Sequence, residues 1–345
     1  MTRLSLSWKA YNLQLKYPFK IATYTRASTP VVLTKLEYDG LTGYGEASLP
    51  QYLGETQDSV EAFLRKLDLS QFHPITGMQD ILDYADKIEY NNTAAKASVD
   101  IALHDLSGKM LGKPWYSIWN LDKNKTPYTT YTIGMDEDNI VEKKTREAVS
   151  RFKMLKVKLG SSKDKRIIEI IRSVTDMTLL VDANQGWKDR SEVLEMAHWL
   201  KEQGVLLIEQ PMDKNNLDDH AWLTQNSPLP IFADESVQRL SDLERIKGAF
   251  SGINIKLMKC TGMSEARKML EISSSLGFKT MLGCMTETSC AISAASQLSP
   301  LADFADLDGN LLITNDCFDG VKIENGRIAL NNLPGIGVTP LSEVG

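Results

Sequence analysis

Hydrophobic and polar residues alternate in blocks along this chain, and the blocks change character about a third of the way along. In the first part, β-branched and aromatic residues predict strands over residues 8–15 and 31–38. A helical pattern follows over residues 92–111, where the apolar positions recur on one face. Strands first and helices afterwards predict an α+β domain over residues 1–125.

From residue 126 onward, short apolar runs alternate with amphipathic helical stretches. The runs are TPYTTYTIG, FKMLKVKLG, MTLLVDANQ, VLLIEQP, LPIFADES, GINIKLMK, FKTMLGCM and ADFADLDG. A strand followed by a helix, repeated, is typical of a parallel sheet with crossover helices. Polar residues at the ends of the runs recur every 22 to 28 residues through seven or eight units. That regular period favours a closed α/β barrel over an open doubly wound sheet.

The ends of these runs carry most of the candidate chemistry. Charged residues stand there at Lys156, Lys158, Asp182, Glu209, Asp234, Lys256, Asp306 and Asp308. Because the carboxyl ends of barrel strands open at one mouth, we expect these side chains to face one another. Three crowded acids repel unless a cation offsets them, and oxygen ligands without His or Cys favour Mg²⁺. The alternative is that the acids pair with the lysines, an arrangement that is costly to bury for stability alone.

The lysines indicate proton transfer. Lys156 and Lys158 alternate on one strand and face the same way, while Lys256 lies nearly across the ring. Two amines could therefore approach a bound molecule from opposite faces, one removing a proton next to a carboxylate and the other returning it. A divalent ion would offset the negative charge that develops. A neighbouring like charge lowers the pKa of a lysine toward the range of a general base.

Taken together, the motifs resemble the enolase superfamily, in its muconate-lactonizing subgroup, and within it the dipeptide epimerases; lysine bases beside Mg²⁺ are known in that superfamily. The matching motifs are K-x-K at Lys156 and Lys158, DANQGW at 182–187, IEQP around Glu209, ADES around Asp234, NIKLMK around Lys256 and DLDG at 306–309. The resemblance covers essentially the whole chain. It implies a (β/α)₇β TIM-like barrel over residues 126–316, under an α+β capping domain onto which the tail 317–345 packs back.

The resemblance also implies roles for individual residues. One Mg²⁺ per subunit would be held by Asp182, Glu209 and Asp234. Lys158 and Lys256 would be the two acid/base residues. The residues expected to bind substrate are Thr132, Lys156, Cys284, Met285, Thr286, Asp306, Asp308, Tyr24 and Arg26.

Three of these expectations set the substrate. Asp306 and Asp308 would hold the free ammonium of a dipeptide's N-terminal residue. In the family's Ala-Glu enzymes a loop arginine meets the glutamate side chain; that position is Tyr24 here, and the nearest arginine is Arg26, two residues on. If Arg26 does not restore the contact, the second residue of the substrate need not be acidic. A second loop, 50–55, offers Tyr52 as a pocket wall.

The implied reaction is epimerisation of dipeptides at the Cα of the C-terminal residue, by two-base 1,1-proton transfer through an enolate. The implied substrate is L-Ala-D/L-Glu from cell-wall peptide turnover. The first alternative is a β-elimination of the same subgroup, by a cycloisomerase or an o-succinylbenzoate synthase, which needs only one base. The second is a non-catalytic, metal-stabilised barrel that binds a small ligand.

Composition excludes other classes of function. The formal charge is −6 and the pI about 5.4, which gives no support to a nucleic-acid or acidic-membrane binder. No run approaches the roughly 20 apolar residues of a membrane span, and no signal peptide is evident. We therefore expect a cytoplasmic protein whose partner is a small dipeptide; the sequence leaves open whether it forms a homo-oligomer.

Overall fold

The computed structural model describes residues 3–20 and 25–341, leaving out the side chains of residues 19 and 20. Its N-terminal part is an antiparallel sheet in the order β1-β2-β3, formed by Ser5–Lys20, Thr25–Tyr38 and Leu41–Ser48. Helices α1 to α4 follow at Gln57–Leu64, Met78–Ile88, Thr93–Met110 and Trp115–Ile118. The first two strands extend beyond their predicted ranges because they pair with each other along almost their whole length.

Helix α3 packs directly on β3 through small residues. A Cβ built on Gly43 would lie 2.2 Å from the carbonyl oxygen of Ala102, and one on Gly45 would lie 1.9 Å from that of Ser98. Only glycine permits this approach of helix to strand. The helix is buried on all sides from residue 94 to residue 108, so the prediction of one apolar face understated its burial.

The following part is a barrel of eight parallel strands, β4 to β11. They lie at Thr130–Ile133, Met154–Lys158, Thr178–Asp182, Val205–Glu209, Ile231–Ala233, Gly252–Lys256, Lys279–Gly283 and Phe304–Asp306. Helices α5 to α11 connect them, at Asp138–Val149, Asp164–Val174, Arg190–Glu202, Leu217–Asn226, Leu243–Ile246, Met263–Ser273 and Ser289–Ser296. The strands neighbour one another in chain order, and a bridge from Thr129 to Ala305 joins the last to the first. The predicted (β/α)₇β barrel under an α+β cap is confirmed.

Two layers of side chains fill the interior of the barrel. The lower one, which we call the barrel plug, consists of Leu180, Leu207, Phe232 and Met281, with Met154 and Phe304 packed against them. Above it come charged side chains, which we call the mouth layer: Lys158, Asp182, Glu209, Asp234, Lys256 and Asp306. The four acids of this layer stand two residues farther along than Leu180, Leu207, Phe232 and Phe304. Because side chains alternate along a strand, both layers face the barrel axis.

The C-terminal tail contains the short strands β12 to β15, at Phe318–Asp319, Lys322–Glu324, Arg327–Ala329 and Thr339–Pro340. It touches the N-terminal part, where the Phe318 ring lies 5.4 Å from that of Tyr44 and the Ile336 amide donates to Asp105. It also touches the start of the barrel, where the Thr129 amide donates to Gly326. Among the helices described, none has the length and apolar character to cross a bilayer.

Candidate active site

The carboxyl ends of the barrel strands open into a cavity of about 350 Å³. The predicted site residues that line it are Arg26, Thr132, Lys156, Lys158, Asp234, Lys256, Cys284, Met285, Thr286, Asp306 and Asp308. Asp182 and Glu209 are fully buried and contact the lining lysines. Tyr24 lies outside the described residues. Residues from both the barrel and the N-terminal part therefore meet at one cavity.

Strand register brings the acids together. Lys158 pairs with Asp182 across β5 and β6, and Asp182 pairs with Glu209 across β6 and β7, so the three stand at one level. One carboxylate oxygen each from Asp182, Glu209 and Asp234 lies within 4.8 Å of the other two. Three buried carboxylates at this spacing form a hard oxygen donor set that fits a divalent cation such as Mg²⁺.

The same carboxylates make ion pairs with the lysines. Lys158 Nζ lies 2.6 Å from Asp182 Oδ2, and Lys256 Nζ lies 2.7 Å from Asp234 Oδ2. Lys156 Nζ lies 2.7 Å from Glu209 Oε2. The pairing that the sequence left as an alternative to a metal is thus present. It does not exclude one, because a carboxylate oxygen accepts more than one partner and buried pairs add little stability by themselves.

These contacts set the protonation of the site. Burial alone would lower the pKa of Lys156 and Lys256, but the surrounding carboxylates outweigh it and raise both pKa values well above the usual lysine value. Burial and the neighbouring Asp182 raise the pKa of Glu209 to about 7.

Lys158 and Lys256 stand on opposite sides of the cavity. They end β5 and β9, which are four strands apart in a ring of eight. Both residues are less than a tenth exposed, and both line the same cavity. A molecule held between them would present one face to each amine.

Asp306 and Asp308 are both buried at the cavity, but their environments differ. Asp306 Oδ2 lies 2.8 Å from Lys156 Nζ, and the Thr130 hydroxyl donates to its other oxygen. Asp308 accepts from the Thr132 amide at 2.7 Å. Burial and the charge of Asp306 raise the pKa of Asp308 to about 7. At neutral pH this pair therefore carries less negative charge than two exposed aspartates would.

Arg26 reaches the cavity from the N-terminal sheet. Its Nη2 donates to Thr286 Oγ1 at 2.8 Å. Tyr52, from the connection after β3, donates its hydroxyl to Met285 Sδ at 3.4 Å. Both contacts tie the N-terminal part to the barrel segment that follows β10.

Sequence reasoning missed several residues of the site. Asn184 and Glu235 line the cavity, and the Asn184 amide donates to Glu235 at 3.3 Å. Each lies within two residues of a predicted metal ligand, which was a usable signal. Lys259 contacts Asp234 Oδ1 at 2.6 Å, and Asn254 donates to Glu209 at 2.8 Å. Both lie within three residues of Lys256 in the run NIKLMK, but their directions depend on how the chain turns after β9.

Comparison with known proteins gives consistent matches. Residues 140–344 match the enolase C-terminal domain-like family, and residues 5–120 match the N-terminal domain of mandelate racemase / muconate lactonizing enzyme. The chain is 61% identical over 336 residues to L-Ala-D/L-Glu epimerase of Bacteroides thetaiotaomicron, covering 97% of this chain and 88% of that protein.

Solved structures are similar along the whole chain. The substrate-liganded L-Ala-D/L-Glu epimerase of Bacillus subtilis has a TM-score of 0.93 at 28% identity, covering 99% of this chain and 100% of that one. The dipeptide epimerase of Enterococcus faecalis, complexed with Mg and L-Leu-L-Tyr, has a TM-score of 0.90 at 31% identity, covering 98% and 100%.

Proposed function

The chain belongs to the mandelate racemase / muconate lactonizing enzyme family of the enolase superfamily, and from this premise we propose that it epimerises dipeptides at the Cα of the C-terminal residue. The observation that carries the proposal is the placement of two lysines. Lys158 and Lys256 reach one cavity from opposite strands, beside a buried carboxylate triad. Inversion of a carbon needs a proton acceptor on one face and a proton donor on the other, which is what this arrangement offers.

The chain's own residues divide the work. For one stereoisomer Lys158 takes the Cα proton and Lys256 supplies one to the opposite face of the enolate; for the other stereoisomer the roles exchange. Lys156 binds the substrate α-carboxylate. Each acid/base lysine touches a triad carboxylate, so the proton-transfer groups and the proposed metal site are in direct contact.

Mg²⁺ is the proposed cofactor, one per subunit. Asp182, Glu209 and Asp234 would hold it, and when bound it would offset the negative charge that develops on the substrate carboxylate. Their mutual distances and their oxygen-only chemistry support this assignment.

The proposed substrate is L-Ala-D/L-Glu. Asp306 and Asp308 would bind the free ammonium, since both carboxyl groups line the cavity. Arg26, at the wall beside Thr286, is the candidate partner of an acidic second side chain. The Bacteroides thetaiotaomicron relative supports this preference, although the Enterococcus faecalis dipeptide epimerase is complexed with L-Leu-L-Tyr, a dipeptide without an acidic side chain.

We also propose the biological setting and the division of the chain. The enzyme would act in the cytoplasm on dipeptides from cell-wall peptide turnover. Residues 1–125 with the tail 317–345 would form the capping domain, and residues 126–316 the catalytic barrel. Contacts of the tail with Tyr44 and Asp105 support that division.

The function is tested by deuterium uptake in heavy water. With Mg²⁺, L-Ala-L-Glu should gain one deuterium at the glutamate Cα, and N-acetyl-L-Ala-L-Glu, which lacks the ammonium, should exchange far more slowly. Arg26→Ala should raise the KM for L-Ala-L-Glu about tenfold relative to L-Ala-L-Gln, because a charge-assisted contact to a carboxylate is lost. Absence of Cα exchange across a panel of L,L- and L,D-dipeptides would reject the proposed function.

A further inference from the structure

One wall of the cavity is a short barrel segment between β10 and α11, residues 284–288, which we call the wall segment. Its first three residues, Cys284, Met285 and Thr286, line the cavity. Within the segment, Glu287 accepts a hydrogen bond from the Met285 amide at 3.0 Å. The shape of this wall must decide which dipeptide side chains fit, because its side chains face the space that a substrate would occupy.

The outer side of the wall segment is held by the N-terminal sheet. Ser48 Oγ, at the end of β3, donates to the Thr286 carbonyl at 2.7 Å. Two residues earlier on β3, Glu46 is fully buried and turned toward the same segment. The contact between Glu46 and Thr288 joins residues 242 positions apart in the chain.

The Glu46 carboxylate accepts hydrogen bonds from several donors at once. Its Oε1 accepts from the Thr288 amide at 2.9 Å, and its Oε2 accepts from the Thr288 hydroxyl and, at 3.4 Å, from the Ala291 amide. These amides belong to the first turn of α11 and to the residue preceding it, whose donors have no partner within the helix. A buried donor that loses its acceptor is costly, so this carboxylate holds the end of the wall segment firmly.

We propose that Glu46 is a positioning residue for substrate selectivity: by fastening Thr288 and the start of α11 to the N-terminal sheet, it sets the position of the cavity wall at residues 284–286. The inference rests on the proposed function, because it concerns the fit of a dipeptide. Glu46 touches no reacting atom, and it therefore acts on binding of the substrate side chains and not on proton transfer.

The test variant is Glu46→Gln, which keeps the shape of the side chain. A glutamine presents one acceptor and one NH₂ group, and the NH₂ group faces donors that it cannot satisfy. Asp100→Asn is the matched control. Asp100 is also a fully buried carboxylate of the N-terminal part that accepts from a barrel helix, at the Met263 amide of α10, but Met263 does not line the cavity.

Two measurements are needed, with Mg²⁺ present. Steady-state epimerisation of L-Ala-L-Glu and L-Leu-L-Tyr gives kcat and KM, and amide hydrogen exchange by mass spectrometry reports protection of residues 284–291. For Glu46→Gln we expect KM for L-Ala-L-Glu to rise about tenfold with kcat within about twofold, a changed preference between the two dipeptides, and lost protection in 284–291. Asp100→Asn should leave both the KM and the protection of 284–291 unchanged.

Several results would overturn the role of Glu46: unchanged protection of 284–291 in Glu46→Gln, a fall in kcat at constant KM, or the same KM change in Asp100→Asn. If Glu46→Gln does not fold, Thr288→Val must raise KM in the same direction, and an unchanged KM there counts against the role. This variant removes the hydroxyl that donates to Glu46 and that also accepts from the Cys290 amide at 3.1 Å. A wild-type protein that exchanges no dipeptide would reject the proposed function, whereas an active wild type with an unchanged Glu46→Gln would reject only this inference.

Discussion

On β6 and β7 the barrel plug and the mouth layer stand only two residues apart, yet the two layers are stabilised by different interactions. Leu180, Leu207 and Phe232 in the plug need no partners beyond one another, and burial of such surface stabilises by about 25 cal/mol per Å². Asp182 and Glu209, each two residues on, are equally buried and need a cation for every charge. The plug therefore supplies stability that offsets the cost of concentrating charge at the mouth.

The difference extends to protonation. Some carboxyl groups around the mouth have raised pKa values, to about 7 for Glu209 and Asp308 and to about 8 for Glu287, because burial disfavours their charged form. For Asp182 and Asp234 the adjacent lysines outweigh burial and lower the pKa. The plug contains no titratable side chain. Changes at the mouth should therefore affect activity, metal binding and pH dependence, whereas changes in the plug should affect stability alone.

The largest effect is expected from the mouth lysines. Lys158→Ala and Lys256→Ala should each lower the epimerisation rate about 10³-fold, since each removes an acid/base group. Each variant should lose Cα exchange from a different stereoisomer, as followed by mass shift in heavy water. The control is Lys188→Ala, an exposed lysine in the connection between β6 and α7. Equal exchange from both stereoisomers in either mouth variant would contradict the two-base arrangement.

The plug is probed by Phe232→Ala. The Phe232 ring packs over Gly252, so closely that a Cβ built on Gly252 would lie 2.4 Å from it. The centroids of the Phe232 and Phe304 rings are 5.9 Å apart. Its removal leaves a cavity that the strands cannot close, so the free energy of unfolding should fall by about 3–5 kcal/mol in urea titrations. Below the unfolding transition, kcat should stay within about twofold of the wild type. A folded variant with strongly reduced kcat would show that the two layers are not separable.

Metal binding gives the next effect. At a Mg²⁺ concentration about 100 times the Kd, the free energy of unfolding should rise by about 2.7 kcal/mol over the chelated protein. Asp182→Asn should lose most of this gain, because it removes one charge of the triad. Phe232→Ala should keep it, although its baseline stability is lower. Thermal melts with and without chelator measure the Mg²⁺-dependent gain in each variant. A gain retained in Asp182→Asn would argue against the proposed ligand set.

The smallest effect concerns Glu287. Burial raises its pKa in the folded protein from the ordinary 4.5 to about 8, so the folded state keeps a proton that the unfolded state releases. This contribution to stability is full below about pH 4.5 and is lost as the pH rises toward 8. Glu287→Gln removes this titrating group. Between pH 6 and pH 7 the unfolding free energy of the wild type should therefore fall by about 1 kcal/mol more than that of the variant. Unfolding free energies from urea titrations that change with pH in the same way in both proteins would contradict a buried, neutral Glu287.

Much of the fold was readable from local patterns. The recurring strand ends placed Lys158, Asp182, Glu209 and Lys256 at one barrel mouth, and all four lie there. Alternation along a strand is a local rule, so the sequence determines which residues face the axis, and the strand period determines that these residues meet. The candidate acid/base and metal chemistry follows from those two rules.

Only the tertiary structure decided the remainder. The contacts of Glu46 with Thr288 and of Arg26 with Thr286 join residues 242 and 260 positions apart, and no local pattern encodes which side chains of two packed parts will touch. The raised pKa values of Lys156, Lys256 and Asp308 likewise depend on summed burial and on charges from several strands. Local periodicity sets the direction of each side chain, whereas the packing of distant parts sets its neighbours and therefore its charge.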